Sequence, residues 1–247
     1  DYREPCDHIA LSHEIIRKYG LAQPVELNLM TYNVGTFSKY LEDSTPEVAD
    51  LVRALDADAV ALNELDSCNR RHDVFQLKKL AESLGGWSHA FAGAFPFAGG
   101  SYGNGIAVSD GIIYSENVAL PQSDEAEPRS MAVVETLDYV MASVHLDHKG
   151  DKARAEQAEF ISGWFAQRYA GFSKPVFLCG DMNCEPSGDA VEVLSKDWEC
   201  LSGSAGTYPS DAPVQCIDYI FRLKSSKNVE LIESDVVSAL NGQKTAG

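Results

Sequence analysis

The chain has 247 residues, of which 45% are hydrophobic and 23% charged, and its formal net charge is −17. This length can bury one large core, and no apolar run approaches the roughly 20 residues that cross a bilayer. So negative a surface repels duplex DNA unless a basic cleft or a metal ion reverses the field locally. We therefore expect a single domain over residues 1–247, monomeric, with a partner smaller than duplex DNA.

The first half of the chain mixes strand and helix patterns. Alternating apolar residues predict a strand over 25–34, and "TPEVADLVRALD" predicts a helix with Thr45 as its cap and Pro46 at its first position. Next, "ADAVALNEL" predicts a buried strand that ends at Glu64, and "VFQLKKLAESLGG" predicts an amphipathic helix that Gly85 closes. The stretches "GNGIAVSD" and "GIIYSENV" are typical of two short strands joined by a tight turn.

The second half continues with hairpin and helix patterns. "SMAVVETLDYVMASVHLDH" predicts a hairpin with Leu137 and Asp138 near its turn, and "DKARAEQAEFISGWFAQRYA" predicts a long helix. "PVFLCGDMN" and "QCIDYIF" are typical of strands, and "SGDAVEVLS" of a helix. Because helices do not follow every strand, a purely parallel sheet is disfavoured. The pattern predicts an α/β fold in four layers, with two packed mixed sheets between outer helices.

Unexpected polar residues stand in or at the ends of these apolar strands. They are Asn33, Glu64, His145, Asp181, Asn183 and Asp218. Burial of a carboxylate or an amide is costly unless the group is paired or binds a metal, so a set of them predicts one shared site at the edge of the sheets. Oxygen ligands of this kind suit Mg²⁺ or Mn²⁺ better than Zn²⁺. The competing interpretation is a set of strand-end caps and surface charges, with His145 as an ordinary core histidine.

The cysteines and the start of the chain give weaker indications of fold and function. The sequence contains six cysteines, Cys6, Cys68, Cys179, Cys184, Cys200 and Cys216. Their spacing matches neither a zinc ribbon nor a small disulfide scaffold, so we expect mostly free, partly buried thiols. No basic-then-apolar leader precedes the domain, but the chain begins with Asp1 and not Met. A processed or trimmed form is expected, which is compatible with a secreted or periplasmic protein whose leader has been removed.

The order of short motifs resembles the endonuclease/exonuclease/phosphatase superfamily. In chain order they are "TYN", "NE", "GN", "H-L", "GDMN" and "IDYI", and they cover roughly residues 27–221. Each motif is weak alone, but the ordered set is specific, above all "GDMN" followed by "IDYIF". The superfamily includes pancreatic-type deoxyribonucleases, abasic-site endonucleases, neutral sphingomyelinases and inositol-polyphosphate 5-phosphatases. The resemblance implies a hydrolase of phosphate esters that depends on Mg²⁺ or Mn²⁺.

The resemblance also implies roles for the strand-end residues. Glu64 would be the principal metal ligand, and Asn33 would help to hold the metal or the phosphate. Asp181 would orient or deprotonate the attacking water, and Asn183 would bind a phosphate oxygen. His145 would stabilise the charge that develops on the phosphate.

A further acid and several substrate contacts follow from the same resemblance. Asp218 would lie near the metal or the catalytic histidine. Tyr102 and Asn104 match a loop that often lines the site, although Asn104 also fits a plain turn residue before a glycine. Arg129 and Arg71 could clamp a substrate phosphate, against the alternative that both are ordinary surface arginines.

The family's usual terminal Asp-His pair is missing from the end of the chain, where Asp235 is followed by Val236. The chain could be an inactive relative, a truncated fragment, or a permuted one in which "CDHIALSHEI" supplies Asp7 and His8 on a relocated last strand. His8 would then act with His145. The alternative for residues 1–24 is an amphipathic N-terminal helix, capped by Asp7, with a linker.

The substrate is the least determined part of this hypothesis. The acidic surface and the lack of a basic or aromatic platform favour a small-molecule phosphate ester or a lipid head group. A nuclease acting on DNA or RNA is the alternative within the enzyme class. A catalytically inactive binding module with the same fold is the alternative outside it.

Overall fold

The structure, a computed structural model, describes residues 26–123, 126–240 and 243–244. Within these residues two mixed β-sheets lie between helices. The predicted segment 1–24, with Asp7 and His8, lies outside the described residues. No helix in the described ranges is both long enough and apolar enough to cross a lipid bilayer.

The first sheet has four strands in the order β1-β2-β4-β3. Its strands are β1 Leu29–Asn33, β2 Ala59–Ser67, β3 Ser88–Phe97 and β4 Gly100–Val108. β1 runs parallel to β2, and the other neighbouring pairs are antiparallel.

The second sheet has six strands in the order β5-β6-β7-β8-β10-β9. Its strands are β5 Tyr114–Ala119, β6 Ser130–Glu135, β7 Val140–His145, β8 Val176–Asp181, β9 Trp198–Cys200 and β10 Asp218–Leu223. β7 and β8 are parallel, and the other neighbours are antiparallel. A short antiparallel pair near the end of the chain is formed by β11 Ala239–Leu240 and β12 Gln243–Lys244.

Helices flank both sheets. They are α1 Thr45–Ala54, α2 Gln76–Ser83, α3 Asp151–Tyr169 and α4 Asp189–Asp197, with a short 3₁₀ helix over Gly35–Phe37. Three apolar clusters separate the four layers. One lies between α1 and α2 and the first sheet, one between the sheets, and one between the second sheet and α3 and α4. The predicted α/β four-layer sandwich is confirmed.

Several element predictions are confirmed and others are corrected. The hairpin over β6 and β7, the long helix and the glycine that closes α2 occur as predicted. The predicted cap is wrong by one residue, because Thr45 is the first helical residue and Ser44 is the cap. The predicted pairing of β4 with β5 is wrong as well. β4 already pairs on both edges with β2 and β3, so the chain crosses to the other sheet, where β5 pairs with β6.

Candidate functional site

Three of the predicted site residues lie side by side on adjacent strands of the second sheet. Asp181 ends β8, and its register partners are His145 on the parallel strand β7 and Asp218 on the antiparallel strand β10. Both Asp181 and His145 are almost fully buried, with 4% and 5% of their surface exposed. Two carboxyls and an imidazole at one sheet edge, with so little solvent, are expensive unless the site uses them.

Asp181 is the centre of this group. One carboxylate oxygen, Oδ1, accepts a 2.8 Å hydrogen bond from the backbone N–H of Asn183. The other, Oδ2, accepts a 3.2 Å bond from Asn33 Nδ2 and lies 3.7 Å from His145 Nε2. Burial, and next the nearby Asp218 carboxylate, raise the pKa of Asp181 to about 7. A carboxyl with such a pKa can exchange a proton near neutral pH.

Asp218 is the first residue of β10, and a neighbouring loop holds its backbone in place. The hydroxyl of Thr207 accepts 3.2 Å hydrogen bonds from the backbone N–H groups of Ile217 and Asp218. The Oδ1 atom of Asp218 is buried and has no hydrogen-bond partner in the described residues. Burial raises the pKa of Asp218 as well. An orphaned carboxylate oxygen beside a second buried acid indicates a place where a cation or a proton donor is expected.

Glu64 reaches this group from the first sheet through an irregularity in β2. The register between β2 and β4 shifts between Leu62 and Leu65, and Glu64 has a φ of 59°, which is unusual for a residue other than glycine. Its Oε1 accepts a 3.1 Å hydrogen bond from Asn33 Nδ2, the same amide that binds Asp181. The Asn33 side-chain oxygen accepts the N–H of Gly35 at 3.1 Å. Asn33 therefore links Glu64 to Asp181 by its nitrogen.

The structure gives a role to Asn63, the first residue of the "NE" motif, to which the sequence assigned none. Its Nδ2 donates to Val144 O at 2.7 Å and to Asn104 Oδ1 at 3.1 Å, and its Oδ1 accepts the Asp181 N–H at 3.1 Å. These bonds join the two sheets directly behind the carboxylates. Asn104 is part of this support, because it is buried, donates to Ser130 O, and does not line the cavity described below.

A glycine allows the sheets to close around Asp181. Gly180 has a φ of 135°, and a Cβ at that position would lie 1.9 Å from Val144 O. Only glycine tolerates both the conformation and the contact. The glycine of the "GDMN" motif is thus a steric requirement of the β7–β8 pair.

On the β7 side of Asp181 the site becomes basic. Arg129 is 5% exposed; its Nη2 lies 3.1 Å from His148 Nδ1 and 3.3 Å from Glu127 Oε2, and its buried Nε has no partner in the described residues. Burial, followed by the charges of Arg129 and His148, lowers the pKa of His145 well below the usual value. His145 therefore stays neutral at physiological pH, and its buried Nδ1 is unpartnered in the described chain.

Arg71 lines the cavity, but its guanidinium is already bound by another residue. Its Nε and Nη2 donate to the two carboxylate oxygens of the fully buried Asp66 at 2.7 and 2.8 Å. His72 Nδ1 lies 2.6 Å from the same carboxylate. The guanidinium also lies 4.6 Å from the ring centre of Phe97 and 5.7 Å from that of Tyr102. Arg71 is thus held rigidly, with its charge largely offset by Asp66, while Tyr102 faces the cavity.

These groups line a cavity of about 2700 Å³. Of the predicted site residues, the following line it: Asn33, Glu64, Arg71, Tyr102, Arg129, His145, Asp181, Asn183 and Asp218. The structure therefore brings together all the predicted site residues that it describes, apart from Asn104, which supports them from behind.

The fit of a divalent cation can be judged from these contacts. In the ranges 26–123, 126–240 and 243–244, no group of three or more His, Cys, Asp or Glu side chains is arranged as a ready ligand set. Mg²⁺, however, keeps several waters and takes one or two protein carboxylates together with substrate phosphate. Glu64, Asp181 and the orphaned Asp218 Oδ1 supply such oxygens without a bonded lysine or arginine among the described residues. The donor set fits a hard cation.

Comparison with known structures agrees with this fold. A mannosyl-6-phosphatase from Bacteroides thetaiotaomicron is similar over 81% of this chain and 86% of its own, at 21% identity and a TM-score of 0.66. TDP2 from Caenorhabditis elegans is similar over 81% of this chain and 64% of its own, at 18% identity and a TM-score of 0.62. The human Nocturnin catalytic domain, solved with bound sulfate, is similar over 81% and 85%, at 17% identity and a TM-score of 0.57. At such identities the likeness is one of fold alone.

The sequence itself carries the family assignment. No curated protein matches it. The model of the endonuclease/exonuclease/phosphatase family, however, matches residues 30–222, which span the chain from β1 to β10 and contain every described site residue. The chain therefore belongs to the endonuclease/exonuclease/phosphatase family.

Proposed function

We propose that this protein is a divalent-metal-dependent hydrolase of phosphate esters. The observation that carries the proposal is the meeting of Glu64, Asp181 and Asp218 beside a neutral His145 in one large cavity. Asp181 and Asp218, whose pKa values are raised, lie next to a basic flank. This matches the needs of phosphoryl transfer to water, in which a base takes a proton and cationic or donor groups offset phosphate charge.

The metal would be Mg²⁺ or Mn²⁺. Glu64 would be its principal ligand, with the carboxylates of Asp181 and Asp218 close enough in the fold to share its charge. When bound, such an ion supplies Lewis acidity toward a phosphate oxygen. Asn33, which was predicted to help hold the metal or the phosphate, presents its amide nitrogen to Glu64 and Asp181. We assign it the task of fixing the spacing between these two carboxylates.

Asp181 would act as the base. Water attacks phosphorus, and its proton passes to an Asp181 carboxylate oxygen. The bond from phosphorus to the leaving oxygen breaks, and that oxygen takes a proton from solvent and leaves as an alcohol. In the metal-free protein the pKa of this carboxyl is about 7, so the carboxylate form that accepts a proton is present near neutral pH. The Asn183 N–H and the Asn33 amide orient the two carboxylate oxygens.

The opposite flank would offset the charge that develops on the phosphate. His145 is neutral, and Arg129, which lines the cavity, has a buried Nε without a hydrogen-bond partner among the described residues. Asn183 Nδ2 donates to Leu146 O at 3.0 Å, which fixes its side chain beside the base. Arg129 is the better phosphate clamp of the two predicted arginines, since Arg71 is bound by Asp66.

The relocated Asp7–His8 pair stays a prediction. The space it requires is next to Asp218, whose buried Oδ1 lacks a partner in the described residues. If His8 completes the site, His8→Ala should lower turnover as strongly as His145→Ala does, whereas His13→Ala, a change in the same segment, should have little effect.

A small phosphate ester is the substrate class that the site favours. The net charge of −17 disfavours long polyanions, and one of the structures with the same fold is a mannosyl-6-phosphatase. A nuclease remains the second candidate within the family. Lipid head groups belong to the first class, because they present the same phosphate ester chemistry.

The test is metal-dependent turnover on a panel of sugar phosphates, lipid-head-group phosphates, a chromogenic phosphodiester and single-stranded DNA and RNA. Glu64→Ala and Asp181→Ala should each lower kcat by at least about 100-fold. Glu159→Ala, which changes an exposed acid on α3, is the matched control and should keep full activity. Undiminished turnover in the Glu64 or Asp181 variant would refute the assignment, and preferential cleavage of nucleic acid would favour the second candidate.

A further inference from the structure

A lysine held by aromatic rings stands at one rim of the cavity. Lys39 is exposed, and its Nζ lies 5.3 Å from the ring centre of Tyr40 and 5.9 Å from that of Tyr208. Both rings are about half exposed, at 57% and 47%. Lys39 forms no ion pair with the residues that the structure describes, so its positive charge is not offset by a carboxylate there. We call Lys39, Tyr40 and Tyr208 the lysine rim.

One side of the lysine rim is tied to Asn33. The Gly35 N–H donates to the Asn33 side-chain oxygen, and a Cβ placed on Gly35 would lie 3.1 Å from Lys39 Cβ. The stem of Lys39 therefore packs directly on the backbone that orients Asn33. This contact holds the base of the lysine side chain, and the two tyrosine rings lie around its ammonium.

The other side of the lysine rim is tied to Asp218. Tyr208 follows Thr207, whose hydroxyl accepts the Asp218 N–H at 3.2 Å. The two loops are joined across the rim by Tyr40 OH and Ser210 Oγ, 3.3 Å apart. Both ends of the lysine rim therefore contact backbone segments that hold residues of the site.

The lysine rim lies apart from Arg129, the residue proposed to contact the substrate phosphate. Arg129 immediately precedes β6, and Asp218 begins β10; in the order β6-β7-β8-β10 these strands are three spacings apart. At about 4.8 Å per spacing the separation is about 14 Å, and the rim lies on the Asp218 side. Arg129 and the lysine rim therefore approach the cavity from opposite sides of β8, the strand that carries Asp181. A phosphate held by Arg129 leaves the lysine available to a different part of a bound molecule.

We propose that the lysine rim binds a second anionic group of the substrate, so that the enzyme selects phosphate esters that carry a further phosphate or carboxylate. This inference rests on the proposed function and names its substrate class. Cation–π contact with two tyrosines fixes the ammonium without neutralising it, as a carboxylate partner would. Against a net charge of −17, a fixed positive charge at the entrance also offsets the repulsion that a doubly anionic substrate meets.

The test compares three esters that differ by one group: glucose 6-phosphate, glucose 1,6-bisphosphate and 6-phosphogluconate. Binding is measured by calorimetry with Mg²⁺ on the Asp181→Asn protein, where esters can bind without turnover, and kcat/KM is measured on the wild-type enzyme. We expect at least one doubly anionic ester to bind about 10-fold more tightly than glucose 6-phosphate. Lys39→Gln should remove this preference, and Lys39→Arg should keep most of it.

The matched control is Lys78→Gln, which changes an exposed lysine on α2 that lies i,i+4 from Glu82 and outside the cavity. It should leave the preference unchanged. The bisphosphate and carboxylate arms identify which anion the rim accepts. Equal affinity for all three esters, or a preference that survives Lys39→Gln, would overturn the inference. Binding with the expected preference but no turnover by the wild-type enzyme would instead count against the proposed function.

Discussion

At the scale of single residues, the features of Asp181 that suit it to act as a base also cost the fold stability. It is buried, it faces Asp218, and its hydrogen bonds from Asn33 and Asn183 only partly offset the loss of solvent. The folded protein therefore holds a proton on this carboxyl up to a pH of about 7, whereas an unfolded chain releases it near its ordinary value of about 3.9.

This difference predicts how the stability of the metal-free protein depends on pH. Between about pH 4 and pH 7 the folded state binds more protons than the unfolded state at this position, so the free energy of unfolding falls as pH rises. Asp181→Asn removes the titration and should flatten the slope over that window. The measurement is urea unfolding in EDTA at pH 5 and pH 8 for both proteins. If the free energy of unfolding changed equally with pH in the two proteins, the raised pKa of Asp181 would be contradicted.

Residue patterns in the sequence revealed the acids but not their support. Glu64, Asp181 and Asp218 stood out because a charged residue interrupts an apolar strand, which is a local signal. Asn63 stands in a similar run, yet its importance comes from bonds to residues 41, 81 and 118 positions away. No short-range pattern encodes such partners, so only the fold could identify Asn63 as the link between the sheets.

At the scale of elements, the β7–β8 pair depends on a single missing side chain. Gly180→Ala would put a Cβ against Val144 O near the carboxyl ends of two buried parallel strands, at a φ that disfavours alanine. We expect a loss of stability of about 3 kcal/mol from overpacking and backbone strain. Gly163→Ala is the matched control, since Gly163 lies exposed within α3 with no atom near the new Cβ.

The control should move in the opposite direction. Alanine in the interior of a helix is favoured over glycine by roughly 0.5–1 kcal/mol, so Gly163→Ala should raise the urea midpoint while Gly180→Ala lowers it. If Gly180→Ala were neutral, the close contact between the two strands would not be a feature of the folded protein.

Element prediction from sequence succeeded where the signal is local. Caps, helical periodicity and the β6–β7 turn are encoded within a few residues, and they appear in the fold nearly where expected. The pairing of β4 with β5 failed because it depends on which strand edges are still free. Both edges of β4 are taken by β2 and β3, and β3, with its glycine and proline, carried too weak a pattern to be predicted.

At the scale of the whole molecule, the net charge of −17 and the carboxylates of the cavity act in the same direction. Like charges destabilise the compact state, and at Glu64, Asp181 and Asp218 a bound cation would relieve the repulsion among neighbouring carboxylates. Two effects of added salt must then be separated. General screening depends only on ionic strength, whereas binding at the site depends on the ion and on these side chains.

Magnesium should therefore raise the melting temperature far more than sodium does at equal ionic strength. At a free Mg²⁺ concentration of about 100 times Kd the stabilisation is about 2.7 kcal/mol, which for a chain of this size corresponds to about 5–10 °C. Glu64→Gln should remove most of the magnesium-specific shift, and Glu82→Gln, an exposed acid on α2, should not. A shift in melting temperature that NaCl reproduces, or that survives in the Glu64 variant, would mean that magnesium acts on the overall charge and not at the cavity. Only a site built on Glu64 makes the effect of the ion depend on that one carboxylate.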